Sequence, residues 1–346
     1  MSEAPQEPLD PIVRTFLDAH CPEPERVCQV IPLKGDASTR RYLRCLSERQ
    51  ASWVLTIYPT SIDERRFSFR QIHDLLRRIG IPVPKIIAVD GVHGLLLQED
   101  LGALSLENSA LESPGSLGEW LRTALEYIVV MQVEGTRSFG PEFANYPLSL
   151  DEARLRWELD FFLRHYVGDF RKRRVEHVDA LQEEFRKMAR ELGQSPQVFC
   201  HRDYQVRNLM VKNETLYVID FQDARWGPPS YDLASLLKDS IQLDSGQIEE
   251  SIESYRKALS RRGYAGLPAD VFERRSFERQ FHVMCLQRML KALGTYGNQI
   301  AVRGISSYRR LVPGTLERAL LSLEALREFP ATRKLVEEEL AKWERG

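Results

Sequence analysis

A carboxylate, an amide and a second carboxylate stand close together in one stretch of this chain: Asp203 in Cys200-His201-Arg202-Asp203-Tyr204, Asn208 in Arg207-Asn208-Leu209-Met210-Val211, and Asp220 closing Leu216-Tyr217-Val218-Ile219-Asp220. Asp203 and Asn208 have the H-R-D-x-x-x-x-N spacing, in which the carboxylate takes a proton from an attacking hydroxyl and the amide oxygen faces a metal. Lys212-Asn213-Glu214-Thr215 predicts a tight turn that folds Asp220 back beside Asn208. Two hard oxygen ligands there suit magnesium held against a polyphosphate. The chemistry these groups could do together is phosphoryl transfer to a hydroxyl, with Asp203 as base and Asn208 and Asp220 as metal ligands. Either piece alone is an ordinary loop or strand end; it is the combination that specifies the chemistry.

Neighbouring residues divide into support and candidates. His201 is expected to pack under the loop, since Asp203 already supplies the base. Asp232, in the first turn of the helix opened by Gly227-Pro228-Pro229-Ser230, is placed to accept backbone N–H bonds and brace the loop. Far upstream, Gly35-Asp36-Ala37-Ser38-Thr39 separates two strand-like runs, where a turn covering phosphates would lie. It is not G-x-G-x-x-G, and a plain hairpin turn explains it as well. As a cradle it would use Gly35, Ser38, Thr39 and backbone N–H groups, with Arg40 or Arg41 adding charge.

The elements that must position these groups follow from periodicity. Val27 to Leu33, Tyr42 to Leu46, Trp53 to Tyr58, Ile86 to Val89 and Leu95 to Leu97 read as strands, and Ile12 to Ala19 as a short helix. Apolar residues at helical spacing run from Asp63 to Ile79, where Gly80 ends the pattern. After Gln98-Glu99-Asp100-Leu101-Gly102 the character changes to long amphipathic helices, clearest over Trp120 to Val133, Asp151 to Val167 and Val178 to Leu192, and from Ser230 onward nearly everything is helical. The expected class is α+β: an N-terminal nucleotide-binding lobe over 1–98, a hinge over 99–103 and a helical C-terminal lobe over 104–346. Glu99 and Leu101 could present hinge backbone groups to adenine.

Composition bounds the alternatives. The 346 residues, 43% hydrophobic, suffice for two lobes at roughly 150 residues each. Forty-eight basic against fifty acidic side chains give a net charge of -2, so no global field recruits nucleic acid or anionic lipid. Arg171-Lys172-Arg173-Arg174 is expected to be a solvated loop. The five cysteines form no C-x-x-C pair, and their odd number points to a reducing cytoplasm. Met1 to Pro11 lacks the pattern of a signal peptide, and no apolar run approaches the ~18 residues of a membrane span.

With these residues in hand the chain resembles the aminoglycoside phosphotransferase family, the branch of the protein-kinase-like fold that acts on small molecules. Asp220-Phe221-Gln222 stands where the protein-kinase branch has D-F-G, and no A-P-E element is present. Within the family, Gly35 to Tyr42, His201-Arg202-Asp203-Tyr204, Arg207 to Met210, Ile219 to Ala224 and Gln287-Arg288-Met289-Leu290-Lys291-Ala292-Leu293-Gly294 are similar to bacterial kinases of N-acetylmuramate and N-acetylglucosamine. The resemblance implies ATP and Mg2+ as cofactors, Asp203 as base, Asn208 and Asp220 as metal ligands, and a small sugar acceptor phosphorylated at its anomeric hydroxyl.

One departure stands out. Kinase-like folds place a lysine on the third strand, yet Ser52-Trp53-Val54-Leu55-Thr56-Ile57-Tyr58 contains none. The charge would have to come from Arg41 or a neighbouring arginine, which leaves the usual helix partner, Glu64, without a role. For the acceptor, the resemblance points to Arg207 in the catalytic loop and to Glu158 and Arg288 on helices of the second lobe. A carboxylate-bearing sugar would favour an arginine through bidentate pairing. An aminoglycoside or other small-alcohol phosphotransferase, and a catalytically silent module of the same fold, remain as alternatives.

Overall fold

The computed structural model describes residues 9–21, 26–33, 39–112, 114–174, 178–238, 243–262 and 273–344. Strands β1 Val27–Leu33, β2 Arg41–Ser47, β3 Ser52–Ile57, β4 Ile86–Asp90 and β5 Leu95–Glu99 build one antiparallel sheet in the order β1-β2-β3-β5-β4. Alternation decides which side chains meet which lobe. Leu43 and Cys45 of β2, Leu55 of β3 and Leu95 and Leu97 of β5 face Val13, Phe16 and Leu17 of helix α1 Pro11–His20 in a small separate core. Tyr42, Arg44, Val54, Thr56 and Gln98 point from the opposite face into a cleft.

Helix α2 Ser68–Arg78 starts later than the apolar periodicity suggests. Asp63 caps the Arg65 N–H instead and closes the single 3-10 turn Glu64–Arg66, so the chain enters α2 only after the extended Phe67. Phe69, Ile72, Leu75 and Leu76 of α2 are buried against Leu96 and the helical lobe. At about 1.5–3 kcal/mol for each fully buried large apolar side chain, this stripe fastens the two lobes together.

Beyond Gly102 the chain is helical: α3 Leu106–Glu112, α4 Leu117–Val130, a π-helical stretch Met131–Gly135 running into α5 Thr136–Ser138, α6 Glu152–Phe162, a second π-helical stretch Leu163–Phe170, and α7 Val178–Gly193. Short strands β6 Val198–Cys200, β7 Leu209–Lys212, β8 Thr215–Val218 and β9 Arg225–Gly227 interrupt it, before α8 Ser230–Lys238, α9 Ser245–Arg261, α10 Arg274–Ala301, α11 Val312–Leu326 and α12 Pro330–Glu344. Helix α10 is the axis of this lobe, with buried residues on every side. Gly294 lets it lie directly on α6, since a Cβ there would come within 2.8 Å of the Phe162 Cα.

The basic run at 171–174 is not simply a solvated loop. Arg171 and Arg173 grip the buried Glu339 of α12 at 2.7 and 2.9 Å, and Arg173 also bonds Glu338. Among the described residues no helix is long and apolar enough to cross a membrane.

Candidate active site

β6 pairs with β9, and β7 with β8, so the segment 201–208 is trapped against 219–224. The β7–β8 turn needs left-handed backbone at both Asn213 (φ 49°) and Glu214 (φ 56°), which matches the twist of a two-residue hairpin. The ladder runs one step further, with Ile219 N–H donating to the Asn208 carbonyl at 3.0 Å, and Asp220 follows at once. Asn208 and Asp220 are thereby brought to the same wall of the cleft, as the hairpin predicts.

Buried groups hold the loop rigid. The fully buried Asp232 accepts the His201 and Arg202 N–H groups at 2.7 and 3.0 Å. Burial raises its pKa, and the hydrogen bonds from the His201 and Arg202 N–H groups, with the charge of Arg288, oppose that shift. Arg202 is held at φ 80° and Asp220 at φ 63°, strained conformations for non-glycine residues that the surrounding bonds enforce. His201 Nδ1 accepts the Asp203 N–H at 3.3 Å, so its proton sits on Nε2, which donates to the Ile219 carbonyl at 3.1 Å. His201 is a strut, not a base.

Asp203 faces the cleft with Arg202 Nη1 at 3.7 Å from its carboxylate. Desolvation pushes its pKa up, but Lys291, Arg202, Arg288 and His201 together outweigh it and hold the group at about 2. It is a carboxylate at any physiological pH. Asn208 Nδ2 donates to the Asp203 carbonyl at 2.8 Å, which leaves the amide oxygen as the end that could bind a cation. Asp220 is exposed to the cleft, one oxygen accepting from Gln222 Nε2 at 2.9 Å. One neutral and one anionic oxygen donor fit Mg2+, which keeps water and takes phosphate oxygens for its remaining positions. Among the described residues no group of three His, Cys, Asp or Glu could hold a metal by itself.

On the opposite wall of this cleft of about 1260 Å3 lie β2, β3 and the hinge. Arg40, not Arg41, reaches it: Arg40 lies 5.7 Å from the Tyr58 ring centroid and 6.0 Å from that of Tyr42. Arg41 shares the β2 face of Leu43, points away and is exposed. Gly35 and Ser38 lie outside the described residues, and Thr39 is exposed and does not line the cleft. Glu64 accepts from the Gly91 N–H at 3.3 Å, away from the cleft. The position of the missing β3 lysine is taken by Val54 and Thr56.

Glu99 and Leu101 both line the cleft. The Glu99 carboxylate binds Lys212 Nζ at 2.8 Å, and the same ammonium donates to the Asp100 carbonyl at 2.8 Å. Arg44 clasps Asp100 from β2 at 2.6 Å and reaches the Gly102 carbonyl at 3.0 Å, across the sharp bend that Gly102 makes at φ 83°. The Leu101 N–H has no partner among the described residues.

The expected acceptor residues separate. Arg207 is exposed on the cleft wall. Arg288 lines it too but is already engaged, stacked 4.5 Å over Tyr231, bonded to Ser235 Oγ at 2.7 Å and to the Arg202 carbonyl at 3.3 Å. Glu158 does not line the cleft: it is 1% exposed and bound by Gln287 Nε2 at 2.9 Å and Arg154 at 3.4 Å. Lys291, Tyr296, Tyr308 and Arg310 also line the cleft without having been singled out as site residues. The i, i+3 and i+4 spacing of Arg288, Lys291 and Ala292 was the available signal.

Residues 29–268 match the phosphotransferase enzyme family. The chain is 32% identical over 274 residues to an N-acetylmuramate/N-acetylglucosamine kinase of Pseudomonas aeruginosa, covering 78% of this chain and 76% of the relative. A kinase of the same name from Neisseria meningitidis serogroup B is 28% identical over 298 residues, 84% of each chain. Among solved structures, a choline/ethanolamine kinase family protein of Mesorhizobium loti superposes with a TM-score of 0.60 at 17% identity, over 93% of this chain and 98% of that one. The streptomycin–ATP–APH(2″)-IIa ternary complex gives 0.57 at 14% identity, over 88% and 97%. The fold is thus the two-lobed protein-kinase-like one, and with a family match over most of its length the chain belongs to the phosphotransferase enzyme family.

Proposed function

We propose that this phosphotransferase moves the γ-phosphoryl group of ATP onto the anomeric hydroxyl of N-acetylmuramate, N-acetylglucosamine or both, giving the α-1-phosphate. The observation that carries the proposal is the wall shared by Asp203, Asn208 and Asp220, taken with the activity for which relatives that align over three quarters of the chain are named. Residues 1–98 serve as the nucleotide lobe and 99–103 as the hinge, whose Leu101 N–H is a donor for the adenine edge. Asn208 and Asp220 hold Mg2+, which when bound neutralises β- and γ-phosphate charge. Asp203 orients the sugar hydroxyl and receives its proton as the new P–O bond forms. Arg207 is the arginine best exposed to pair with an acceptor carboxylate.

The charge of the acceptor end argues against an aminoglycoside. From α10 and the segment after it, Arg288, Lys291 and Arg310 enter the cleft and no aspartate or glutamate does. A polycationic drug would need the reverse. A silent module is disfavoured by an ionised Asp203 beside an intact pair of oxygen ligands. The test is incubation with ATP, Mg2+ and a panel of N-acetyl sugars, aminoglycosides and amino alcohols, followed by phosphorus NMR. A sugar 1-phosphate is expected; transfer only to an aminoglycoside, or nucleotide binding with no transfer, would overturn the proposal.

A further inference from the structure

A second cation faces Asp203 from the helical lobe, and no role has been given to it so far. Lys291 of α10 lines the cleft, and its ammonium donates to Tyr231 OH at 3.3 Å. The remaining two of its three donors have no acceptor among the described residues. The nearest carboxylates pair elsewhere, Glu158 with Arg154 at 3.4 Å and Asp203 with Arg202 at 3.7 Å. Even so, Lys291 leads the charges that lower the pKa of both, against the burial that raises them. It is a cation that influences both carboxylates and forms an ion pair with neither among the described residues.

Its position is well determined. Gln287, one turn earlier on the same face of α10, donates to Glu158 at 2.9 Å, so the buried carboxylate of α6 is tied to the helix that carries Lys291. The close approach at Gly294 sets the distance between the two helices. Arg288 stacks on Tyr231, whose hydroxyl accepts the hydrogen bond from Lys291. Such restraint is what electrostatic stabilisation of a transition state needs, because the charge is in place before the reaction starts. The opposite wall offers no lysine from β3. Lys291 lies beyond residues 29–268, the part of the chain that matches the family model.

We propose that Lys291 is a catalytic residue whose ammonium hydrogen-bonds an equatorial oxygen of the phosphoryl group in transit, supplying from the helical lobe the positive charge that β3 lacks. The proposal rests on the phosphotransferase reading of Asp203. In the step itself the acceptor oxygen bonds to the γ-phosphorus. The bond from that phosphorus to the β–γ bridging oxygen breaks, its electron pair leaves with the nucleoside diphosphate, and the hydroxyl proton passes to Asp203. Negative charge spreads over the equatorial oxygens as this happens. The same cation weakens Asp203 as a base, a tolerable cost if the proton moves only once the oxygen has bonded to phosphorus and become acidic.

The experiment compares full-length wild type with Lys291→Met and Lys291→Arg in steady-state kinetics on ATP and the best acceptor. It also measures, by calorimetry, affinity for MgADP with and without aluminium fluoride, a mimic of the phosphoryl group in transit. Lys291→Met is expected to lose about 100-fold in kcat with both KM values within about threefold. Its affinity for MgADP should stay level while the gain from aluminium fluoride disappears, and Lys291→Arg should recover part of both. A kcat within threefold of wild type overturns the proposal. So does a rise confined to the acceptor KM, which would make Lys291 an acceptor contact, or an aluminium fluoride gain that survives in Lys291→Met. If Lys291→Met does not fold, Lys291→Arg decides: an unchanged KM with a reduced aluminium fluoride gain supports the proposal, and a wild-type gain with a raised acceptor KM sinks it. Wild type inactive on every acceptor would instead indict the sugar-kinase proposal, and the aluminium fluoride comparison would still judge Lys291.

Discussion

Asn208 Nδ2 donates to the Asp203 main-chain carbonyl at 2.8 Å, so one hydrogen bond ties the proposed metal ligand to the proposed base. The two ends of that amide therefore do different work. Asn208→Asp would keep an oxygen for Mg2+ and add charge to it, while losing the donor and setting a carboxylate against the Asp203 carbonyl. The expected outcome is a lower half-saturating Mg2+ concentration together with a kcat reduced by at least about tenfold, as expected when a 1–3 kcal/mol contact is lost. Asn208→Ala should lose both properties. A magnesium titration of initial rates for the two variants separates these effects, and an unchanged kcat in Asn208→Asp would show that the bond to Asp203 positions nothing.

Against the burial that raises it, Lys291, Arg202, Arg288 and His201 depress the pKa of Asp203 to about 2 in the folded chain, below the ordinary aspartate value. A depressed acid contributes stability that is present above the unfolded value and lost as pH falls through the folded one. Asp203 is accordingly ionised throughout the range in which the protein is folded. The acid side of the kcat/KM profile should stay flat down to about pH 5, with no limb belonging to this residue. Arg202→Met removes one of the cations that lower it, so any acid limb should move upward in that variant. The check is a pH–rate profile in constant ionic strength, and an acid limb near pH 6 in wild type would contradict the assignment.

How much of this site was legible in the sequence depends on how local each part is. Asp203, Asn208 and Asp220 sit within one loop and one hairpin, so spacing and turn residues are enough to place them together. The change of lobe at Gln98 to Gly102 is equally local. Side-chain direction across lobes is not: the chain enters β2 through Arg40, Arg41, Tyr42, and only pairing with β3 and cover by α1 decide that Arg41 turns outward. Helix α10 is harder still. Val283 to Leu290 is buried without a break, so its hydrophobic pattern marks no face for the cleft, and Lys291 gains significance only when α6 and α8 are packed beside it.

The two arginines before and at the start of β2 offer a direct test of strand direction. Arg40 lies against Tyr58 and Tyr42 on the nucleotide side, with Asp220 close enough to influence it, whereas Arg41 is exposed behind the sheet. Arg40→Ala is expected to raise the KM for ATP about tenfold or more, the scale of one lost hydrogen bond to a charged group. Arg41→Ala should leave it within twofold. Equal effects of the two variants on nucleotide affinity, measured by calorimetry with MgADP, would show that the β2 face does not select the arginine.

Asp232 is expected to matter through the backbone it holds. Its oxygens are the partners of the His201 and Arg202 N–H groups, and Arg202 sits at φ 80° because those bonds keep it there. Asp232→Ala leaves two buried donors unpaired at about 1–3 kcal/mol each. Thermal unfolding should show a lower Tm, and turnover should fall further than the loss of folded protein accounts for. Asp232→Asn retains one acceptor oxygen and should fall between wild type and the alanine variant in both measurements.

Glu158 gives the sharpest separation between touching the acceptor and positioning what does. It is 1% exposed and lies outside the cleft; its hydrogen bond from Gln287 joins α6 to α10, while its ion pair with Arg154 stays within α6. Burial raises its pKa, yet Lys291, Gln287, Arg154 and Arg202 bring it below the ordinary glutamate value. It is thus a buried anion paired with Arg154, with Lys291 and Arg202 near enough to act on its charge. Glu158→Ala is expected to destabilise the fold by about 3 kcal/mol, the scale of a broken buried pair. Glu158→Gln keeps the shape and removes only the charge. If Glu158 held the acceptor, Glu158→Gln would raise the acceptor KM with little change in kcat. If it fixes Lys291, kcat should fall about tenfold at nearly constant KM, and Lys291→Met should make the further change to glutamine almost silent, as two members of one charge network behave in a double-mutant cycle. Additive losses in that cycle would separate the two residues and return Glu158 to a purely architectural role.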